Sequence, residues 1–159
     1  MRYILELSRQ RGECVTVVPT GAWAPALGSN SLALASVDVF LVSSEQPVTS
    51  GVRFTAKEDE VVRAAFVPDE RLRALLGGVR ELFRRSERVR SAGTRAEVCC
   101  VVAEDLVLYG EAGVEPSGTL AVGEDRPDLG RLPMRVALSS DDVAQLGQFL
   151  RNHLRLPEQ

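Results

Sequence analysis

The sequence predicts an α+β protein built from antiparallel β-meanders, each closed by an amphipathic helix. Two observations lead to this fold class. Apolar residues alternate with a period of two, or form short β-branched runs, in two separate groups of segments. Each group is followed by one longer segment with apolar residues at spacings of three and four, which is typical of a helix with one buried face. The connections between segments are polar and rich in glycine and proline, as loops are.

The first group contains five candidate strands, one more than a four-stranded meander needs. Gly12 lies in a polar turn between the first two, and the charged residues 57–60 separate the last two. The third places Val37, Val39 and Leu41 on one face and Asp38 and Phe40 on the other. The five segments are 2–8, 13–19, 32–43, 51–56 and 61–67.

The first predicted helix covers residues 68–90. Pro68 suits the first helical turn, and the acidic residues Asp69 and Glu70 suit the positive end of the helix dipole. Gly77 and Gly78 interrupt its middle, and each costs about 1 kcal/mol relative to alanine. The pair predicts either a kink or the close approach of another backbone.

The second group has four candidate strands, at 94–103, 106–110, 118–123 and 132–139. The second predicted helix follows over 139–156. Ser139 and Asp142 approximate a capping box, with aspartate in place of the usual glutamate or glutamine. The apolar stripe of this helix is Val143, Leu146, Leu150 and Leu154.

The two strand-to-helix junctions resemble each other. Residues 61–76 and 133–147 both run from a strand with an outward arginine, through a short cap, to an acidic pair and an apolar stripe. Arg63 then matches Arg135. This likeness predicts a ββββα-ββββα pseudo-repeat within a single domain over 1–159, with halves 1–93 and 94–156. Chance similarity between strand–cap–helix junctions is the alternative.

This element order resembles the PUR and Whirly families, which repeat a four-stranded meander followed by a helix. The resemblance covers nearly the whole chain and rests on the junctions at 61–76 and 132–150, with no diagnostic motif. It implies binding of single-stranded DNA or RNA on solvated sheet faces, with helices that support the sheets or form a homodimer. The acidic pI near 5.3, the few aromatic residues and the extra first-half strand depart from the family pattern.

Composition narrows the function classes. The start of the chain lacks a charged leader followed by an apolar run, and no segment reaches the length of a membrane span, so we expect a cytoplasmic protein. The cysteines are Cys14, Cys99 and Cys100, without the spacing of a zinc site or a disulfide framework. Residues 68–95 contain eight basic and four acidic residues, whereas 96–159 contain five and eleven. The basic helix indicates a solvated face, an intramolecular partner for the acidic half, or a phosphate-binding surface.

Signals for catalysis are few. His153 is the only histidine and lies near the C-terminal end of the last helix, where the helix dipole favours a structural role. Phosphate-binding loops, dinucleotide fingerprints and metalloprotease motifs are absent from the sequence. Asp125 and Asp128 in the loop 123–130 could contact a cation, but acidic turns of this kind are common. The sequence therefore predicts a non-enzymatic protein without metal or cofactor.

The segment TGAWAPALGSN, residues 20–30, contains the only tryptophan, Trp23, in a stretch predicted to be irregular. The indole is either a lid on the sheet core or a ring that stacks on a ligand. The first functional hypothesis is binding of single-stranded nucleic acid on the solvated sheet face. The alternative is a protein-interaction module (an adaptor, chaperone or immunity-type protein) that uses the 20–30 loop and the acidic second half. The candidate binding residues are Trp23, Phe40, Arg53, Arg63, Tyr109 and Arg135.

Overall fold

A computed structural model describes residues 31–93 and 96–156 of the chain, the backbone of 15–23, and the isolated residues 6, 9, 10 and 12. These residues form two antiparallel sheets and two long helices, which confirms the mixed α+β class. The first sheet, sheet A, contains β1 (Val15–Trp23), β2 (Ser31–Leu41), β3 (Thr49–Glu58) and β4 (Val61–Pro68). The second, sheet B, contains β5 (Ala96–Ala103), β6 (Leu106–Ala112), β7 (Ser117–Val122) and β8 (Met134–Leu138). The helices are α1 (Asp69–Ala92) and α2 (Ser140–Leu154).

The N-terminal part of the chain differs from the prediction in two places. Glu6 is helical, so the strand predicted over 2–8 is wrong at this residue, and the rest of that segment lies outside the described residues. The predicted irregular segment 20–30 is wrong over 20–23, because β1 continues to Trp23, which lies opposite Leu34. A bulge between Pro19 and Gly21 absorbs the extra residue and lets the ladder continue. Residues 24–30 lie outside the described part.

Sheet A is buried along most of its helix-facing side and at one end of its second face. Its helix-facing side carries Leu32, Leu34, Val52, Phe54, Ala65 and Val67, all of which belong to the main core. One end of its second face carries Val37, Val39 and Phe66, which are also buried. Gly51 makes room at that end, since a β-carbon there would lie 2.8 Å from the Phe66 ring and would collide with the Val67 carbonyl oxygen. The expectation that the second face lies in water is therefore wrong at this end, whereas Ala33, Lys57 and Val62 at the other end are exposed.

Sheet B has one covered and one open face. Val98, Leu108, Leu120 and Val136 alternate onto its inner face and join the same core as sheet A and both helices. The intervening residues point away from the core, and most of them are exposed. This alternation is the half-buried pattern that the sequence predicts for an antiparallel sheet.

Helix α1 begins after Pro68 and ends at Gly93, whose left-handed backbone (φ 71°) stops the helix. Its buried residues include Leu72, Leu75, Leu76, Val79 and Leu82, so one helix contributes to the core under both sheets. Helix α2 has the predicted capping box: the Ser139 hydroxyl accepts from the Asp142 amide, and the Asp142 carboxylate accepts from the Ser139 amide. In the part of the chain that the structure describes, neither helix is apolar enough over a sufficient length to cross a membrane.

The two central glycines of α1 have different surroundings. Gly78 faces sheet B, where an added β-carbon would lie 2.9 Å from the Cys100 β-carbon. Gly77 is exposed, and an added β-carbon there would contact nothing within 4 Å. The close approach predicted for the glycine pair therefore falls on Gly78 alone.

This difference gives a matched pair of substitutions. Gly77→Ala should raise the free energy of unfolding by up to about 1 kcal/mol, because alanine restricts the unfolded chain and favours helix. Gly78→Ala should lower it by about 1–3 kcal/mol, because α1 must move away from β5. Urea unfolding followed by circular dichroism measures both. Equal effects of the two substitutions would contradict the close approach of α1 to β5.

Candidate interaction site

The outer side of sheet B, here called the open face, is a sheet surface that neither helix of the described residues covers. Strand alternation and register place its side chains on one side of the sheet. Val101 is 69% exposed and Tyr109 is 41% exposed, although both are large enough to gain from burial. The members of the open face are Glu97, Cys99, Val101, Val107, Tyr109, Glu111, Ser117, Thr119, Ala121, Arg135 and Ala137.

Tyr109 lies at the centre of the open face. It is directly opposite Cys99 on β5 and Thr119 on β7. The guanidinium carbon of Arg135 lies 5.7 Å from the centroid of the Tyr109 ring, a cation–π distance. A shallow depression of about 380 Å³ surrounds the ring and extends to Glu97 and Gly118. The arrangement holds an aromatic ring and a cation together on an accessible, partly apolar surface.

The charge of the open face is acidic. Glu97 lies directly opposite Glu111 on the neighbouring strand, and like charges at opposite positions of a sheet are unfavourable. Among the described residues of the open face, Arg135 is the one basic side chain, and Glu97 and Glu111 are the two acidic ones.

Arg63 and Arg53, two of the predicted binding residues, do not lie together. Arg63 lies opposite the core residue Ala56, whereas Arg53 lies opposite Phe66 on the second face of sheet A, so they are on opposite sides. Arg63 also has a structural role. Its guanidinium Nε donates to the Leu132 carbonyl oxygen at 3.2 Å and thus ties sheet A to the segment before β8. The strand register places the two arginines three positions apart along the ladder and on opposite faces of sheet A, so they cannot belong to one binding surface.

Phe40 and Trp23 also lie away from the open face. Phe40 is half-buried on the helix-facing side of β2, in register with Thr16. Trp23 ends β1, and its side chain lies outside the described residues. Of the six predicted residues, only Tyr109 and Arg135 come together. Cys99, Val101 and the two glutamates of the open face were missed, although the period-two pattern of 96–112 could have placed them beside Tyr109.

His153 forms a buried connection between three elements, here called the His153 cluster. Its Nδ1 lies 2.8 Å from the Ser36 hydroxyl on β2, and its Nε2 lies 2.6 Å from the Asp69 carboxylate at the start of α1. The Ser36 hydroxyl can donate to Nδ1 or accept from it, so both contacts hold in either protonation state of the ring. The cluster fixes the end of α2 to α1 and to sheet A.

The order of groups in the His153 cluster resembles a serine–histidine–aspartate relay, but the site lacks access to a nucleophile. Ser36 is buried, and the adjoining cavity is lined by Asp69 and His153 and not by Ser36. A catalytic serine needs a reachable hydroxyl beside donors for the developing oxyanion. The cluster therefore has the structural role expected for His153.

Several arginines of α1 contact the protein itself. Arg84 and Arg85 both pair with Glu81, and the hydrogen bond from Arg85 is the main reason that the pKa of Glu81 lies below its ordinary value. Arg85 also donates to the Glu97 carbonyl oxygen at 2.8 Å, and Arg90 donates to the Val114 carbonyl oxygen at 3.1 Å. This side of the helix is largely a solvated face with local ion pairs.

The acidic loop 123–130 also has internal partners. Arg126 pairs with Asp128, and this hydrogen bond is the main reason that the pKa of Asp128 is lowered. Within the described ranges, no group of three or more histidine, cysteine, aspartate or glutamate side chains has the arrangement of a metal site. Asp125 and Asp128 thus sit in a loop ordered by ion pairs with arginine.

Comparison of the chain with protein-family models, with curated proteins and with solved structures found no match. Its function must therefore be argued from the open face and its surroundings. The resemblance to the PUR and Whirly families remains one of element order.

Replacing His153 tests the structural role of the His153 cluster. His153→Ala should lower the free energy of unfolding by about 2–3 kcal/mol, because two hydrogen bonds at a buried site are lost. His153→Gln should cost about half as much, since a side-chain amide can keep one of the two. The exposed Asn152→Ala is the control and should cost less than about 0.5 kcal/mol. If His153→Ala is as stable as the unmodified chain, the His153 cluster does not stabilise the fold.

The two neighbouring cysteines should differ in reactivity. Cys99 is exposed on the open face, whereas Cys100 packs beneath α1 and its thiol donates to the Ala74 carbonyl oxygen. Burial raises the pKa of Cys100, so less of its thiolate is present at a given pH. In a Cys14→Ser background, iodoacetamide at pH 8 should therefore alkylate Cys99 first, as measured by peptide mass spectrometry. Faster alkylation of Cys100 would contradict its packing beneath α1.

Proposed function

We propose that this chain is a non-enzymatic protein-interaction module whose binding surface is the open face of sheet B. The observation that carries the proposal is the exposed cluster of Tyr109, Val101 and Arg135 on a face that neither helix covers. Tyrosine and arginine are enriched among the residues that contribute most to protein interfaces. Covering Val101 alone would gain on the order of 1–2 kcal/mol from burial of its side chain.

The charges of the open face support a protein partner. Glu97 and Glu111 would repel a phosphate backbone, and the whole chain has a formal charge of −3. A protein that brings lysine or arginine to the exposed carboxylate of Glu97 would form an ion pair with it. This proposal keeps the acidic second half from the sequence-based alternative as the binding region. It differs in the contact surface, which is the open face of sheet B in place of the 20–30 loop.

Binding of single-stranded nucleic acid is the second candidate. It is favoured by the Tyr109–Arg135 stack, since bases stack on aromatic rings and arginine contacts phosphates. The order of four strands and a helix, given twice, fits a duplicated scaffold with halves 1–93 and 94–156, as in the resembling families. Against it, the second face of sheet A is covered at the end that carries Val37, Val39 and Phe66, so the two sheets do not offer matching platforms. A homodimer is compatible with either function.

A photo-crosslinking experiment tests the proposed function. Benzoylphenylalanine replaces Tyr109 in the full chain, expressed in its native cells, and Leu129 is the control position because it is 57% exposed outside the open face. We expect an adduct with a protein at position 109 that is absent at 129. Val101→Ser should reduce it about tenfold, because the apolar contact with the partner is lost without a change in the charge of the face.

A titration separates the two candidates. A labelled thirty-nucleotide single strand at low salt should show no binding to the unmodified chain if the partner is a protein. Binding that weakens steeply as salt rises, and that Arg135→Ala reduces, would instead establish the nucleic-acid function. Equal adducts at positions 109 and 129 would contradict use of the open face by any partner.

A further inference from the structure

Strand β5 is an edge of sheet B, and the hydrogen-bond alternation of this sheet determines which of its backbone groups are free. The Gly123 amide donates to the Asp105 carbonyl oxygen at 2.9 Å, in register with the β6–β7 ladder. Antiparallel pairs alternate between bonded and non-bonded positions. Counting from that bond, the odd-numbered residues of β6 bond to β7, so its even-numbered residues bond to β5.

The same alternation extends to β5. Val98 and Cys100 lie opposite Gly110 and Leu108, so they are the residues that bond to β6. The amide and carbonyl groups of Glu97, Cys99 and Val101 therefore lie in the plane of the sheet and point away from β6, toward the open edge. An independent contact agrees with this direction, because Arg85 donates to the Glu97 carbonyl oxygen.

The free part of this edge is short and bounded. Arg85 covers the Glu97 carbonyl at one end, and a bulge between Val101 and Ala103 interrupts the ladder at the other. Between these limits, the outward backbone groups of Cys99 and Val101 have no partner among the described residues. A short row of unpaired amides and carbonyls of this kind is a template for another strand.

We propose that an extended, basic segment of a partner protein adds to sheet B as a fifth strand along Glu97–Val101. This proposal rests on the proposed function and specifies how the partner binds. Main-chain hydrogen bonds to Cys99 and Val101 supply affinity, and side chains of the added strand extend the open face. A lysine or arginine opposite Glu97 pairs with its exposed carboxylate, and an apolar residue opposite Val101 covers an exposed side chain.

Charge favours a basic partner over a second copy of the chain. Outward-facing residues of two β5 strands can pair antiparallel about Cys99, which places Glu97 opposite Val101 of the other copy. Pairing about Glu97 places two glutamates opposite each other. Neither arrangement places a cation opposite Glu97, whereas a basic strand does.

The test uses the uniformly ¹⁵N-labelled full chain and the peptide acetyl-Thr-Val-Ser-Thr-Ser-Lys-Thr-amide, which pairs antiparallel with its lysine opposite Glu97. We expect amide chemical-shift changes and slowed hydrogen exchange at Cys99 and Val101. A peptide with glutamate in place of lysine should bind about tenfold more weakly, and Glu97→Gln should reduce this preference.

Two N-methylated peptides form a matched control. Methylation of the central threonine amide, which faces β5, should abolish binding. Methylation of the following serine amide, which faces away, should leave binding unchanged. Equal effects of the two methyl groups, or no shift at Cys99 and Val101 at millimolar peptide, would overturn the proposal.

The outcomes also separate this proposal from the proposed function. Shifts confined to Tyr109 and Thr119 would mean that the face binds without strand addition, so the function would stand and the added strand would fail. If the chain dimerises in sedimentation experiments and can be crosslinked oxidatively through Cys99, the edge of β5 pairs with a second copy of the chain. That result would overturn the proposal of a basic partner. A crosslink at position 109 to nucleic acid, with no peptide binding, would overturn both.

Discussion

Helix α1 approaches sheet B to van der Waals distance at Gly78, and the arrangement of both sheets depends on this contact. A side chain at that position would collide with Cys100, so the helix could not rest on the strand. Once in place, α1 contributes Leu72, Leu76 and Val79 to one continuous core shared by sheets A and B. Because α1 packs against the inner side of sheet B in this way, neither of the two helices of the described residues covers its outer side.

The two sheets consequently have different roles. Sheet A is buried on its helix-facing side and at one end of its second face, and Arg63 bonds to the Leu132 carbonyl oxygen within the protein. Sheet B keeps a solvated face with an aromatic ring at its centre and, among the described residues, an edge with unpaired backbone groups. The partner proposed for this face is a basic polypeptide, although the resemblance predicted from the sequence is to nucleic-acid-binding families.

Much of the fold could be predicted from the sequence, because helix starts and strand faces depend on residues that are close together in the chain. Pro68 and the pair Ser139 and Asp142 mark helix starts because their effects act within one turn. Period-two alternation likewise placed Tyr109 and Arg135 on a solvated face. The covered face of each sheet could not be predicted from the sequence, since the burial of Val37 and Phe66 depends on contacts between distant segments. For the same reason, the outward direction of the Cys99 and Val101 amides could not be predicted. It follows from the pairing of the strands and not from composition.

The contact between Ser36 and His153 joins residues 117 positions apart, and this separation has a consequence for how the chain folds. Closing so large a loop costs conformational entropy before the contact contributes any stability. The end of α2 should therefore dock late, after α1 and both meanders have formed. Until then, the first half lacks one of the connections that hold α1 against β2, so its stability during synthesis depends on a residue made much later.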